Sequence, residues 1–106
     1  MKLFVKSVFA LVAASVFLTA QAQTKSPEQL AKDAGCTSCH NATEKVVGPS
    51  FKAIAEKYKG DKGAADQLVQ SVRNGSKGTW GRIPMPPHNS LAEAEVKAIV
   101  GWILAR

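Results

Sequence analysis

A short motif with two cysteines has the most distinctive chemistry in the chain. In CTSCH at positions 36–40, two thiols stand three residues apart, His40 follows directly, and no other cysteine occurs. Side chains at i and i+3 of a helical turn project to the same side. Cys36 and Cys39 could therefore form thioether bonds to the two vinyl groups of one haem, with His40 facing the iron. C-x-x-C-H is the recognised signal for this c-type attachment.

Two other interpretations of the motif remain open at this point. A thioredoxin-like dithiol requires a βαβ context around C-x-x-C, and the chain has almost no strand pattern. A zinc site requires four ligands, and the only cysteines and histidines are Cys36, Cys39, His40 and His88, with His40 adjacent to Cys39 instead of at a zinc-finger interval. Haem attachment is the favoured interpretation.

A haem iron held by His40 has a sixth position, and Met85 is the candidate for it. The chain has two methionines, one of which is the initiator. Met85 stands in RIPMPPHN, where prolines 84, 86 and 87 stiffen the loop and remove amide donors. The alternatives are that Met85 only fills the core, or that His88, the other histidine, is the ligand. We favour Met85 as the ligand and His88 as a solvated loop residue.

The amino terminus has the order of a secretory signal peptide. Lys2 and Lys6 precede an apolar run at positions 8–18, and Ala20-Gln21-Ala22 supplies a small-residue cleavage site. A membrane anchor is the alternative, but the run is shorter than the roughly 20 residues that cross a bilayer. We predict a signal peptide at 1–22, a domain at 23–106, and a periplasmic location. Cleavage would lower the net charge from +6 to +4.

The remaining 84 residues form one small domain. Such a domain buries only about 60% of its unfolded surface and usually needs a disulfide, metal or cofactor. A disulfide across C-x-x-C closes a very short loop and stabilises little. The charge is modest and no binding motif occurs, which argues against a nucleic-acid partner.

The elements that must position these residues are predicted to be helices. SPEQ at 26–29 starts a helix that should run to about Ala34 and stop at Gly35. A last helix is predicted to begin at Ser90, with Glu93 in the capping-box position. Two middle helices and the last one follow from apolar stripes at helical spacing: Phe51, Ile54, Ala55 and Tyr58; Ala65, Leu68, Val69 and Val72; Val96, Ile99, Val100 and Ile103.

Two segments without periodicity separate the helices. They are ATEKVVGPS at 42–50 and GSKGTWGRIPMPPHNS at 75–90. Long irregular loops inside compact domains are uncommon and are usually functional. We expect these loops to wrap the group that the small domain needs.

Taken together, the sequence resembles the class I cytochromes c, specifically the small bacterial monohaem electron carriers. The markers are GCTSCH, VVGPSF, NGSKGTWG and IPMPPH, in that order, and the resemblance covers the whole mature chain. It implies an all-α fold of about four to five short helices wrapped around one covalently attached haem c. It also implies that Cys36 and Cys39 hold the haem, with His40 as proximal and Met85 as distal ligand.

The resemblance further implies roles for residues outside the motif. The carbonyl of Pro49 would accept a hydrogen bond from the second ring nitrogen of His40, which fixes the ring and raises its basicity. Trp80 would donate its indole N–H to a haem propionate or pack against the macrocycle. Trp102 would pack in the core where the first and last helices cross, or against the haem, and would not act as an electron relay.

The implied function is that of a periplasmic one-electron carrier, a monomer and not an enzyme. Its donor would be a quinol-oxidising complex or another cytochrome, and its acceptor a terminal oxidase or a reductase such as nitrite reductase. No stable membrane insertion is expected after processing. The lysines either form a solvated face or steer the protein to an acidic partner surface. The alternatives are a five-coordinate haem enzyme or gas sensor, if Met85 is labile, and a thiol-disulfide oxidoreductase.

Overall fold

The computed structural model describes residues 25–106, and the predicted signal peptide lies outside them. This part of the chain folds into four α-helices and a 3₁₀ turn at Cys36–Ser38. The helices are α1 (Pro27–Asp33), α2 (Phe51–Lys57), α3 (Ala64–Asn74) and α4 (Glu93–Leu104). Residues 25–106 include no strand, only two isolated β-bridges. The all-α prediction is confirmed. None of the helices in this range is long and apolar enough to span a membrane.

Serine hydroxyls start two of the short helices. The Oγ of Ser26 accepts a hydrogen bond from the amide of Gln29 at 3.2 Å, and the Oγ of Ser50 accepts one from Ala53 at 3.0 Å. Each bond satisfies an amide that has no partner inside the first turn. Gly35, with a φ of 81°, follows the end of α1 and turns the chain into the cysteine motif.

The start of α4 differs from the prediction. The helix begins at Glu93 after the N-cap residue Ala92, instead of at Ser90. The chain first makes a turn in which the amide of Leu91 donates to the carbonyl of His88 at 3.3 Å. The amide of Ala92 then donates to the carboxylate of Glu95 at 3.1 Å, so Glu95 has the role expected of Glu93.

Helix α4 lies at the centre of the fold and packs against α1, α2 and α3. Its apolar stripe is buried as predicted, and Val96, Ile99 and Val100 are at most 1% exposed. The stripe of α3 is shifted by one position at its start, because Ala64 is buried and Ala65 is exposed. Residues of the two long loops line a cavity together with residues of α2, α3 and α4.

The central position of Ile99 gives a test of the core. We expect Ile99→Ala to lower the free energy of unfolding by about 2–5 kcal/mol, because it removes buried contacts and leaves a cavity. Denaturant unfolding of the haem-loaded protein measures this loss. Lys97→Ala on the exposed face of the same helix is the control, since its ion pair with Glu93, at 3.5 Å, is solvent-exposed and worth little. Equal losses in the two variants would contradict the assigned core.

Candidate functional site

One cavity of about 360 Å³ brings together the candidate residues from distant parts of the sequence. Cys36, Cys39, His40, Trp80 and Met85 all line it. The volume lies within the range of small-molecule and cofactor pockets, roughly 300–1,000 Å³. Helices α2, α3 and α4 supply an apolar inner wall that includes Phe51, Ile54, Leu68, Val72, Ile99 and Val100.

The two thiols lie on a single tight turn. The amides of Cys39 and His40 both donate to the carbonyl of Cys36, at 3.2 and 2.9 Å. Cys36 is buried and Cys39 is half-buried, and the two are free cysteines. Burial raises the pKa of the Cys36 thiol above its ordinary value, so this thiol is neutral at pH 7. A turn with two thiols at the edge of an apolar cavity fits covalent attachment of a flat, largely apolar group.

The ring of His40 is held by one of its two nitrogens. Its Nδ1 lies 2.7 Å from the carbonyl oxygen of Pro49. Because a carbonyl can only accept, Nδ1 must carry the proton, and in the neutral ring Nε2 is then free to bind a metal. The amide of Gly48 donates to the carbonyl of Cys39 at 2.8 Å, which holds the segment before Pro49 against the cysteine motif.

Phe51 supports His40 from α2. Its ring stacks on the imidazole with 5.5 Å between centroids and an interplanar angle of 20°. Trp102 of α4 meets Phe51 edge-on at 5.3 Å, and packs against the core as the resemblance implies. In the sequence, Phe51 is recognisable only as part of the apolar stripe of α2. Its position two residues after Pro49 was the available signal that it would lie near His40.

The loop that carries Met85 is held by three backbone hydrogen bonds, two within the loop and one to α3. Ser76 and Met85 exchange two backbone hydrogen bonds, at 3.1 and 2.7 Å, and the amide of His88 donates to the carbonyl of Val72 at 2.8 Å. Gly75 has a φ of 80°, and a Cβ on it would lie 2.8 Å from the carbonyl oxygen of Met85. A glycine is therefore required where α3 passes into this loop, for its backbone angle and for the space.

His88 and Trp80 lie at the edges of the cavity. His88 lines the cavity together with Met85 and is half-buried, so the structure keeps it near the proposed ligand. Trp80 is 36% exposed, and the Nζ of Lys57 lies 5.3 Å from its ring centroid, within cation–π range. This contact between α2 and the loop was not predicted, because no local sequence pattern relates positions 57 and 80.

A family model described as cytochrome c oxidase, cbb3-type, subunit III matches residues 22–103. The chain is 39% identical to cytochrome c-551 of Pseudomonas aeruginosa over 100 residues, which are 94% of this chain and 95% of that protein. It is 49% identical to cytochrome c-551 of Azotobacter vinelandii over 77 residues, 73% of this chain and 93% of that one.

A solved structure matches the fold as well. The crystal structure of wild-type cytochrome c552 of Nitrosomonas europaea superposes with a TM-score of 0.71 at 45% identity. The alignment covers 74% of this chain and 96% of that one. Sequence and fold thus match the same group of small proteins over nearly their full length.

Proposed function

The chain belongs to the small monohaem class I cytochromes c, electron carriers with one covalently attached haem c, and we propose that His40 and Met85 are the axial ligands of its iron. The observation that carries the proposal is the single cavity that contains two thiols, an imidazole with a free Nε2 and a thioether on an anchored loop. These are the donor types of a His/Met c-type cytochrome.

Each of these residues has a distinct role in the proposal. The haem supplies a one-electron ferric–ferrous couple. Cys36 and Cys39 hold it covalently, and Pro49 orients His40 and raises the basicity of its ring. Met85 as the second axial ligand favours the ferrous state and so raises the reduction potential. Trp80, at the cavity edge, would donate to a haem propionate.

The protein would act as a periplasmic shuttle and not as an enzyme. Residues 1–22 would direct export, and residues 23–106 would form the mature, monomeric carrier. Electrons would come from a quinol-oxidising complex or another cytochrome and pass to a terminal oxidase or a reductase such as nitrite reductase. A cationic and apolar cavity rim supports docking to a partner with acidic residues, and its members are Lys45, Val46, Val47, Lys77, Arg82 and Ile83.

Carbon monoxide distinguishes a carrier from a five-coordinate haem enzyme or gas sensor. In the proposal both axial positions are filled by the protein, so the reduced mature protein should bind the gas poorly while its iron titrates reversibly in a one-electron step. The measurement is a spectral titration of the ferrous protein with carbon monoxide, beside a potentiometric titration without it. Rapid stoichiometric binding would instead support an open iron site.

A further inference from the structure

Gly48 lies against the imidazole of His40 more closely than any other residue could. A Cβ placed on Gly48 would lie 2.8 Å from Cε1, 3.1 Å from Nδ1 and 3.3 Å from Nε2 of that ring. Carbon atoms in favourable contact are about 3.5–4.0 Å apart. We propose that Gly48 is a positioning residue: its missing side chain lets the ring of His40 reach Pro49 through Nδ1 while Nε2 stays accessible to iron. The part that concerns iron rests on the proposed function.

Space, not backbone conformation, is the reason for a glycine at this position. Five glycines of residues 25–106 have positive φ angles that other residues rarely adopt, and Gly48 is not among them. An alanine at 48 could therefore adopt the same backbone without strain. The contact of its methyl group with His40 would be the main difference. A substitution at Gly75 would combine two effects, because both its φ of 80° and its contact with Met85 oppose a side chain.

Neither partner in this contact can move away at low cost. The ring of His40 is fixed by the 2.7 Å bond to Pro49 and by the stacked ring of Phe51. The backbone of Gly48 is fixed by its 2.8 Å bond to the carbonyl of Cys39. A methyl group must therefore displace the imidazole by several tenths of an ångström relative to Pro49. The bond from Nδ1 would lengthen or bend.

A weaker bond at Nδ1 has a predictable electronic effect. Donation from Nδ1 to a carbonyl raises the basicity of the ring as a metal ligand. A more basic ligand favours the ferric state, which has the higher positive charge. Gly48→Ala should therefore shift the midpoint potential in the positive direction.

The test compares Gly48→Ala with Gly101→Ala in the haem-loaded protein. Gly101 lies in α4, has an ordinary φ, and a Cβ there meets nothing within 4 Å. Hydrogen exchange of the His40 Nδ1–H, followed by NMR in the ferrous protein, should be faster in Gly48→Ala by on the order of tenfold, the equivalent of losing one net hydrogen bond. The midpoint potential should rise in the same variant. Gly101→Ala should leave both readouts at their wild-type values.

Two outcomes would overturn the proposal. One is a Gly48→Ala protein whose Nδ1–H exchange and potential equal those of wild type. The other applies if Gly48→Ala does not retain haem. The double variant Gly48→Ala/Phe51→Leu opens space beside the imidazole and should then yield haem-loaded protein. If it does not, the contact between residue 48 and His40 is not the cause of the loss, and the proposal is rejected. The bond from Nδ1 joins His40 to Pro49 and does not include Met85. The weak red-edge absorption band of the ferric protein, recorded in the same variants, reports the sixth ligand separately, so a failure of this proposal is distinguishable from a failure of Met85 in the proposed function.

Discussion

Replacing Met85 with alanine should abolish the weak red-edge absorption band that reports a thioether bound to ferric iron, while the haem stays covalently attached. The thioether is the only part removed, because the backbone of residue 85 keeps its pair of hydrogen bonds with Ser76. The midpoint potential should fall, since methionine ligation favours the ferrous state. The ferrous variant should bind carbon monoxide readily. Absorption spectra, potentiometry and a carbon monoxide titration measure the three effects.

His88→Ala is the matched control for this prediction. His88 lines the same cavity three residues further on, and its link to α3 is made by its backbone amide, which the substitution keeps. The control should retain the red-edge band and its resistance to carbon monoxide. A wild-type protein that lacks the band would reject Met85 as the ferric ligand. If Met85→Ala still resists carbon monoxide and Met85→Ala/His88→Ala does not, His88 has replaced the methionine.

Removing both thiols should have the largest effect on stability. We expect Cys36→Ala/Cys39→Ala to contain no covalently bound haem and to be largely unfolded at room temperature. An empty cavity lowers the free energy of unfolding by about 24 cal/mol per Å³. For a space of 360 Å³, the loss is at most about 9 kcal/mol. The total free energy of unfolding of a small domain is only about 5–15 kcal/mol. Haem staining of a denaturing gel and far-ultraviolet circular dichroism measure the two losses.

The single variants are the controls for the double one. Cys39→Ala retains the buried thiol of Cys36, and Cys36→Ala retains the half-buried thiol of Cys39. Each should retain haem through one thioether bond and stay folded, with a lower thermal midpoint than wild type. A double variant that is still stained for haem after denaturation would show that another residue holds the group.

Structural features that depend on a few neighbouring residues could be predicted from the sequence. The cap at Ser26 and the turn of the cysteine motif follow from local hydrogen bonding, and the fold class follows from apolar spacing. The cap at Ser50 is of the same local kind, although only the apolar stripe of α2 was used to predict that helix. The start of α4 was misplaced because Glu93 and Glu95 can both serve as the capping acid. The turn from His88 to Leu91 decides between them, and no pattern in the sequence specifies that turn.

The candidate site was predictable as a set of residues but not as an arrangement. The residue types and spacing of Cys36, Cys39, His40 and Met85 indicate haem attachment and iron ligation. The structure places all four around one cavity. The contact of Gly48 with His40 joins residues eight positions apart across a loop. Whether a glycine serves for space or for its backbone angle becomes visible only when its surroundings are known. The contact of Lys57 with Trp80 is equally non-local.

The backbone hydrogen bonds that hold the Met85 loop bear on the speed of electron exchange. An electron transfers only when nuclei reach a geometry common to both oxidation states, so every ligand displacement between those states adds to the barrier. Two of these bonds join the backbone of Met85 to Ser76, the third joins His88 to Val72, and none of them involves the iron. They would restrain the loop equally in the oxidised and reduced protein, and a pre-organised surrounding needs little rearrangement at the moment of reaction. The anchored loop thus favours a small reorganisation energy, the property that separates a fast relay from a slow one at equal driving force.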